Sequence, residues 1–218
     1  MVAPYLVGPH TADKYPNGSL ASATLRTPTL RIVDHDVVDA TRFSKLERLA
    51  TPPTSELTAE LDGAAAWLDL TADEIILAAL GRTIARTIGD GVVGVDVTSE
   101  RRWLLQPVPL VCATAEQASA TDMVRMVHRA LAAGADHPGQ APSEIFVNNA
   151  GAVSDAPLDE IPPGLGYALE LRVYRIGGDM HLDWWYDTSR FDPYTVEEVM
   201  EQFRLSLFEM TSDAAPPD

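Results

Sequence analysis

The 218-residue sequence predicts an α/β fold, a layered α+β sandwich built as a single lobe in which helices cover a mixed sheet. Three stretches carry that expectation. "TADEIILAALGRTIARTIGDG" opens with a capping box, Thr71 three residues before Glu74, and places Ile76, Leu80, Ile84 and Ile88 four apart. It reads as an amphipathic helix ended by Gly89 to Gly91. "YALELRVYRIGGDMHLDWWYD" alternates apolar and polar residues on both sides of Gly177 and Gly178, the pattern of a hairpin with one buried face. After it, Asp192 caps and Pro193 opens a last helix whose Val196, Met200, Phe203, Leu207 and Met210 form one apolar stripe. That stripe must pack on a sheet.

The remaining elements follow in chain order. Residues 1–24 are rich in Pro, Gly, Ser, Thr and Ala without periodicity and read as a flexible arm. A short strand over 25–33 leads into the turn "DHDVVDA" (34–40), and Phe43, Leu46 and Leu49 give the next stretch a helical character. "TPPT" at 51–54 ends it, because proline cannot continue a helix. Beyond the capped helix come a strand over 92–97, the charged turn "ERR", a second strand over 107–113, and a helix over 121–133 with Val124, Val127 and Leu131 on one face. "EIFVNNA" (144–150) reads as a further buried strand, followed by a long loop to the hairpin. Residues 25–212 thus form one lobe, and 213–218 read as a disordered tail.

Composition excludes several classes of function. With 32 acidic and 16 basic residues the formal net charge is −16, which repels a nucleic-acid backbone or an anionic membrane surface. No stretch approaches the ~20 apolar residues of a membrane helix, and the start of the chain has no signal-peptide pattern. The single cysteine, Cys112, lies in "PVPLVCA", where it reads as a small buried hydrophobe. A reducing, cytoplasmic setting is the expectation.

"VNNAG" at 147–151 resembles the strand end of short-chain dehydrogenases, yet that chemistry needs a glycine-rich dinucleotide turn and a tyrosine four residues before a lysine. The only lysines are Lys14 and Lys45, preceded at that distance by His10 and Thr41. The five histidines, 10, 35, 128, 137 and 181, lack metal-ligand spacing. His128, between Arg125 and Arg129 on a helix, reads as a surface or hydrogen-bonded histidine. His181, Asp183 and Trp185 read as the outer face of a strand.

Four stretches together bear a family likeness. "LTADEIILAALGRTIARTIG", "GVDVTSERR…WLLQPVPLVCA", "EIFVNNAGAV" and "YALELRVYRIGGDMHLDWWYDTSRFDPYTVEEVMEQFRLSLFEM" resemble, in order, the C-terminal lobe of condensation domains from non-ribosomal peptide synthetases. These domains are a branch of the chloramphenicol-acetyltransferase-like superfamily. The likeness spans residues 54–212. It departs where the family's aromatic Gly-Trp-Phe-Thr-like stretch is reduced to Trp103, Leu104, Leu105 and Gln106. The residues before the quoted turn are too few to build the family's N-terminal lobe, so the chain resembles half a domain.

The resemblance implies a role for the turn at 34–40. The family's active turn reads His-His-x-x-x-Asp-Gly, and here His35 and Asp39 match the second histidine and the aspartate, with Ala40 in place of the glycine. In the catalytic reading His35 is the general base that takes a proton from the acceptor of an acyl group, and Asp39 holds the loop. In the other reading "DHDVV" is an acidic strand end with a solvated or hydrogen-bonded histidine. No cofactor is expected to bind directly; the substrate implied is one borne on a phosphopantetheinyl carrier. The implied partners are a synthetase module, a separate N-terminal condensation half or a carrier protein, with a homo-oligomer as the alternative and neither nucleic acid nor membrane. Arg82, Arg86, Arg101 and Arg102 are the basic clusters that could meet an acidic carrier, or simply solvated arginines. Two functions follow: an accessory, partner-binding lobe without catalysis of its own, or a small acyltransferase whose active site is completed by a second copy or partner chain.

Overall fold

The computed structural model describes residues 28–36, 46–99, 102–133, 143–154 and 166–216. Among them are six strands and four helices in the order β1 (Leu46–Thr51), α1 (Ser55–Leu68), α2 (Ala72–Thr87), β2 (Gly91–Ser99), β3 (Arg102–Cys112), α3 (Ala120–Ala133), β4 (Ile145–Ala152), β5 (Leu169–Ile176), β6 (Asp179–Asp187) and α4 (Pro193–Asp213). The strands form one sheet of order β1-β6-β5-β4-β2-β3. β2, β4 and β5 run parallel, while β3, β6 and β1 pair antiparallel with their neighbours. This is the mixed, helix-covered sheet that the sequence predicts.

Local chemistry explains most of these elements. The capping box forms: the Thr71 N–H donates to Glu74 Oε2 at 2.7 Å, and the Glu74 N–H to Thr71 Oγ1 at 3.4 Å, satisfying donors that a helix start leaves open. Gly177 and Gly178 take φ of +61° and +100°, the left-handed turn that joins two right-twisted strands. β3 contains Pro107 and Pro109, which lack a donor for the ladder. They are tolerated because β3 is an edge strand bonded on one side to β2.

The apolar faces of the sheet and helices close into one core. Val95, Ile145, Leu171 and Trp184 from the sheet meet Ile76, Leu80, Phe203 and Leu207 from α2 and α4, all fully buried. Each such side chain contributes about 1.5–3 kcal/mol on leaving water. Trp184 packs edge-on against Phe203 with ring centroids 5.1 Å apart. α2 approaches β3 so closely that a Cβ on Gly81 would lie 2.4 Å from the Val111 carbonyl oxygen.

Four expectations are corrected. Residues 46–51, read as helical, form edge strand β1, whose register against β6 runs from Leu46 opposite Asp187 to Thr51 opposite Leu182. Pairing with an exposed strand edge outweighs a weak helical spacing. Residues 28–33 are not a strand, although the Thr29 and Leu30 N–H groups donate to the Val92 carbonyl at 2.8 and 3.0 Å. α1 was not expected; its buried Leu57, Leu61, Ala64 and Leu68 keep helical spacing, but alanine makes that face faint in the sequence. Finally, the face of the hairpin away from the helices is not an outer surface. Glu170, Arg172 and Asp183 are buried there, with Arg172 Nε 2.7 Å from Glu170 Oε1 and its guanidinium 4.9 Å from the centre of the Trp185 ring.

At the C-terminal end α4 runs through Asp213, Ala214 is buried, and the Ala215 N–H donates to Thr121 Oγ1 at 2.9 Å. The arm expected over 1–24 lies outside the described residues. No helix among the described residues is long and apolar enough to cross a membrane.

Candidate functional site

The turn singled out by the sequence lies against the start of α4. The Asp34 and His35 N–H groups donate to the Arg190 carbonyl at 2.9 and 3.1 Å, and the Asp192 N–H donates to Asp34 Oδ2 at 2.8 Å. His35 Nε2 sits 3.2 Å from Asp192 Oδ1, with the imidazole about half exposed. Asp192, expected to cap α4, makes no side-chain cap bond and turns to His35 instead. Ile32 is buried just before this turn and its N–H donates to Glu144 Oε2 at 3.1 Å. Asp39 and Ala40 lie outside the described residues.

A second constellation, which sequence reasoning did not assemble, lies at the carboxyl ends of the parallel strands β2 and β4. A cleft of about 780 Å³ opens there between the end of α1, the start of α2 and α3. Glu74 is buried at its edge, and one carboxylate oxygen accepts from the Thr71 N–H and Oγ1 at 2.7 and 2.8 Å. The other oxygen lies 2.7 Å from Nδ1 of His128 on α3. Asn149, at the end of β4, donates from Nδ2 to Asp73 Oδ1 at 2.6 Å and accepts the Gly151 N–H at 3.0 Å. Gln106 spans to the Leu131 carbonyl at 2.9 Å. The capping box was legible in the sequence; its carboxylate meeting a histidine 54 residues away was not.

Other candidate residues take structural places. Arg82, weighed as part of a solvated or carrier-facing cluster, is fully buried: its Nε lies 3.0 Å from Glu209 Oε1, and it donates to the carbonyls of Ala113 and Ala118. Arg86 lies 2.6 Å from the same carboxylate. Both guanidinium groups are thus spent on Glu209, and burial draws Arg82 below the usual arginine pKa. Arg101 lies outside the described residues. Cys112 is buried as expected, and burial pushes its thiol up to about 12, which leaves no thiolate nucleophile at neutral pH. No cluster of metal-binding side chains exists among the described residues.

Element order, sheet order and the single helix layer define the class: a condensation-domain-like lobe. The fold matches the epimerization domain from the third module of tyrocidine synthetase B with a TM-score of 0.64 at 14% identity, covering 88% of this chain and 53% of that one. It matches the EpoB cyclization-docking bidomain from Sorangium cellulosum with a TM-score of 0.65 at 16% identity, over 88% of this chain and 46% of that one. It also matches the first condensation domain of the CDA synthetase, with a TM-score of 0.55 at 18% identity, over 79% of this chain and 46% of that one. The chain therefore corresponds to about half of such a structure. At the level of sequence it is 33% identical over 220 aligned residues to a phenolphthiocerol/phthiocerol polyketide synthase component of Mycobacterium tuberculosis and of Mycobacterium bovis. That alignment takes in 79% of this chain and 15% of the relative, so the chain spans a small part of the relative's length. No protein-family model matches the chain.

Proposed function

We propose that this chain is a condensation-domain-like half-domain of non-ribosomal peptide or related acyl-conjugate biosynthesis, acting in the cytoplasm as an accessory, partner-binding lobe without catalysis of its own. One observation carries the reading: a lobe with a closed core corresponds to 46–53% of several condensation-type structures and shares a third of its aligned residues with a segment of a polyketide synthase. Its partner is then a synthetase module or a separate N-terminal half that supplies the rest of the chamber. With Arg82 and Arg86 both paired to Glu209, an acidic carrier protein finds no docking patch in that pair, which favours lobe-to-lobe pairing over carrier recognition.

The competing reading makes His35 the general base, with Asp39 steadying its loop, on a thioester borne by a phosphopantetheinyl carrier, in an oligomer that completes the site. His35 Nε2 faces the Asp192 carboxylate, whereas a base must turn a nitrogen to the acceptor it deprotonates. The test is His35→Ala in the reconstituted system of the chain with its synthetase. The accessory reading expects acyl transfer to be unchanged, and a loss of ~100-fold or more, the scale of a general base, overturns it. Light scattering on the chain alone separates the two again: a symmetric oligomer is expected for the acyltransferase and a monomer for the accessory lobe.

A further inference from the structure

We propose that the cleft at the carboxyl ends of β2 and β4 is a ligand site in its own right, in which His128, oriented by Glu74, receives the alcohol or amine group of an aliphatic ligand. The site belongs to the lobe alone and does not depend on the pairing proposed above.

Three independent features converge on it. The first is size and place: about 780 Å³ is room for a small molecule, and the crevice beyond the carboxyl ends of parallel strands is where open α/β sheets hold ligands. The second is the dyad. Glu74 is fixed on one oxygen by two bonds from Thr71 and offers the other to His128 Nδ1 at 2.7 Å. A carboxylate at Nδ1 selects the tautomer with the proton on that nitrogen. The lone pair is then on Nε2, which no described protein group reaches, on an imidazole about half exposed at the cleft. A base held by a buried orienting group is the arrangement that receives an O–H or N–H donor. The third feature is the lining. Leu70, Val97 and Leu131 supply apolar walls, while Asp62, Asp69 and Asp73 join Glu74 in giving the cleft a negative field. Carboxylates and phosphates are repelled by that field. Neutral alcohols and protonated amines with an aliphatic body fit both the walls and the charge.

The structural alternative is that His128 only braces the start of α2 through Glu74. Tautomer-resolved ring NMR of His128 in mildly alkaline buffer separates the two, with titrations of hexylamine, 1-hexanol and hexanoate. The proposal expects the proton on Nδ1, saturable shifts of the Nε2 resonance and of the Asn149 side chain with the amine and the alcohol, and none with hexanoate. Glu74→Gln retains an acceptor for the capping box but points an amide donor at Nδ1. The proton then moves to Nε2, and alcohol binding weakens about tenfold, the worth of one hydrogen bond. If Glu74→Gln does not fold, His128→Gln at the half-exposed position serves, with the same tenfold loss expected and read from the Asn149 shifts. A proton on Nε2 in the unmodified protein, shifts as large with hexanoate, no saturable shift with either donor, or unaltered binding in a folded variant overturns the proposal.

Discussion

Replacing Arg82 by methionine tests whether the helical layer is locked by a buried charge. Arg82 has no exposed surface, and its guanidinium joins α2 to Glu209 on α4 and to the carbonyls of Ala113 and Ala118 in the β3–α3 connection. Methionine fills the stem's volume but leaves the two carbonyls without donors and Glu209 with Arg86 alone at 2.6 Å. Breaking a buried pair from one side costs about 3–5 kcal/mol; because Arg86 remains, the lower end, about 3 kcal/mol, is expected. For a domain of this size each kcal/mol moves Tm by about 2–4 °C, so Tm falls by ~6–12 °C. The assay is urea unfolding followed by tryptophan fluorescence, with a reduced midpoint at an unchanged slope. A double variant, Arg82→Met with Glu209→Leu, should recover part of the loss, since replacing both charged partners by apolar groups removes the stranded carboxylate. A loss below ~1 kcal/mol for the single variant at constant slope refutes the assignment of Arg82 as a buried tie.

Gly81→Ala should destabilise by about 1–3 kcal/mol, the scale of overpacking, because the new methyl would lie 2.4 Å from the Val111 carbonyl oxygen; a midpoint in urea equal to that of the parent protein contradicts the close approach of α2 to β3. Cys112 should resist Ellman's reagent in the folded protein and react fully in denaturant. The sign of its pH effect follows from burial: the folded thiol is pushed up to about 12 while the unfolded one titrates near its ordinary value of about 8.5. Its contribution is therefore complete below about pH 8.5 and is lost as pH rises from there towards 12, by up to ~1.4 kcal/mol per pH unit. A comparison of Cys112 with Cys112→Ala in alkaline unfolding should show this slope only in the parent.

What the chain itself determined is the set of elements whose cause is local. The capping box at Thr71 and Glu74, the glycine pair at 177 and 178, and the proline opening α4 each satisfy or free their own neighbouring backbone, so they are legible wherever they occur. The family likeness rested on such elements in order, and the fold has that order. Only tertiary structure decided the rest. β1 is a strand because β6 offers it an edge, α1 is a helix whose small-residue face is meaningful only against α4 and β6, and Arg82 is buried because Glu209, 127 residues on in the chain, meets it there. The same holds for the candidate sites. His35 found Asp192 and His128 found Glu74 across the fold, and a charge or a lone pair has no fixed partner until the backbone closes and excludes water around it.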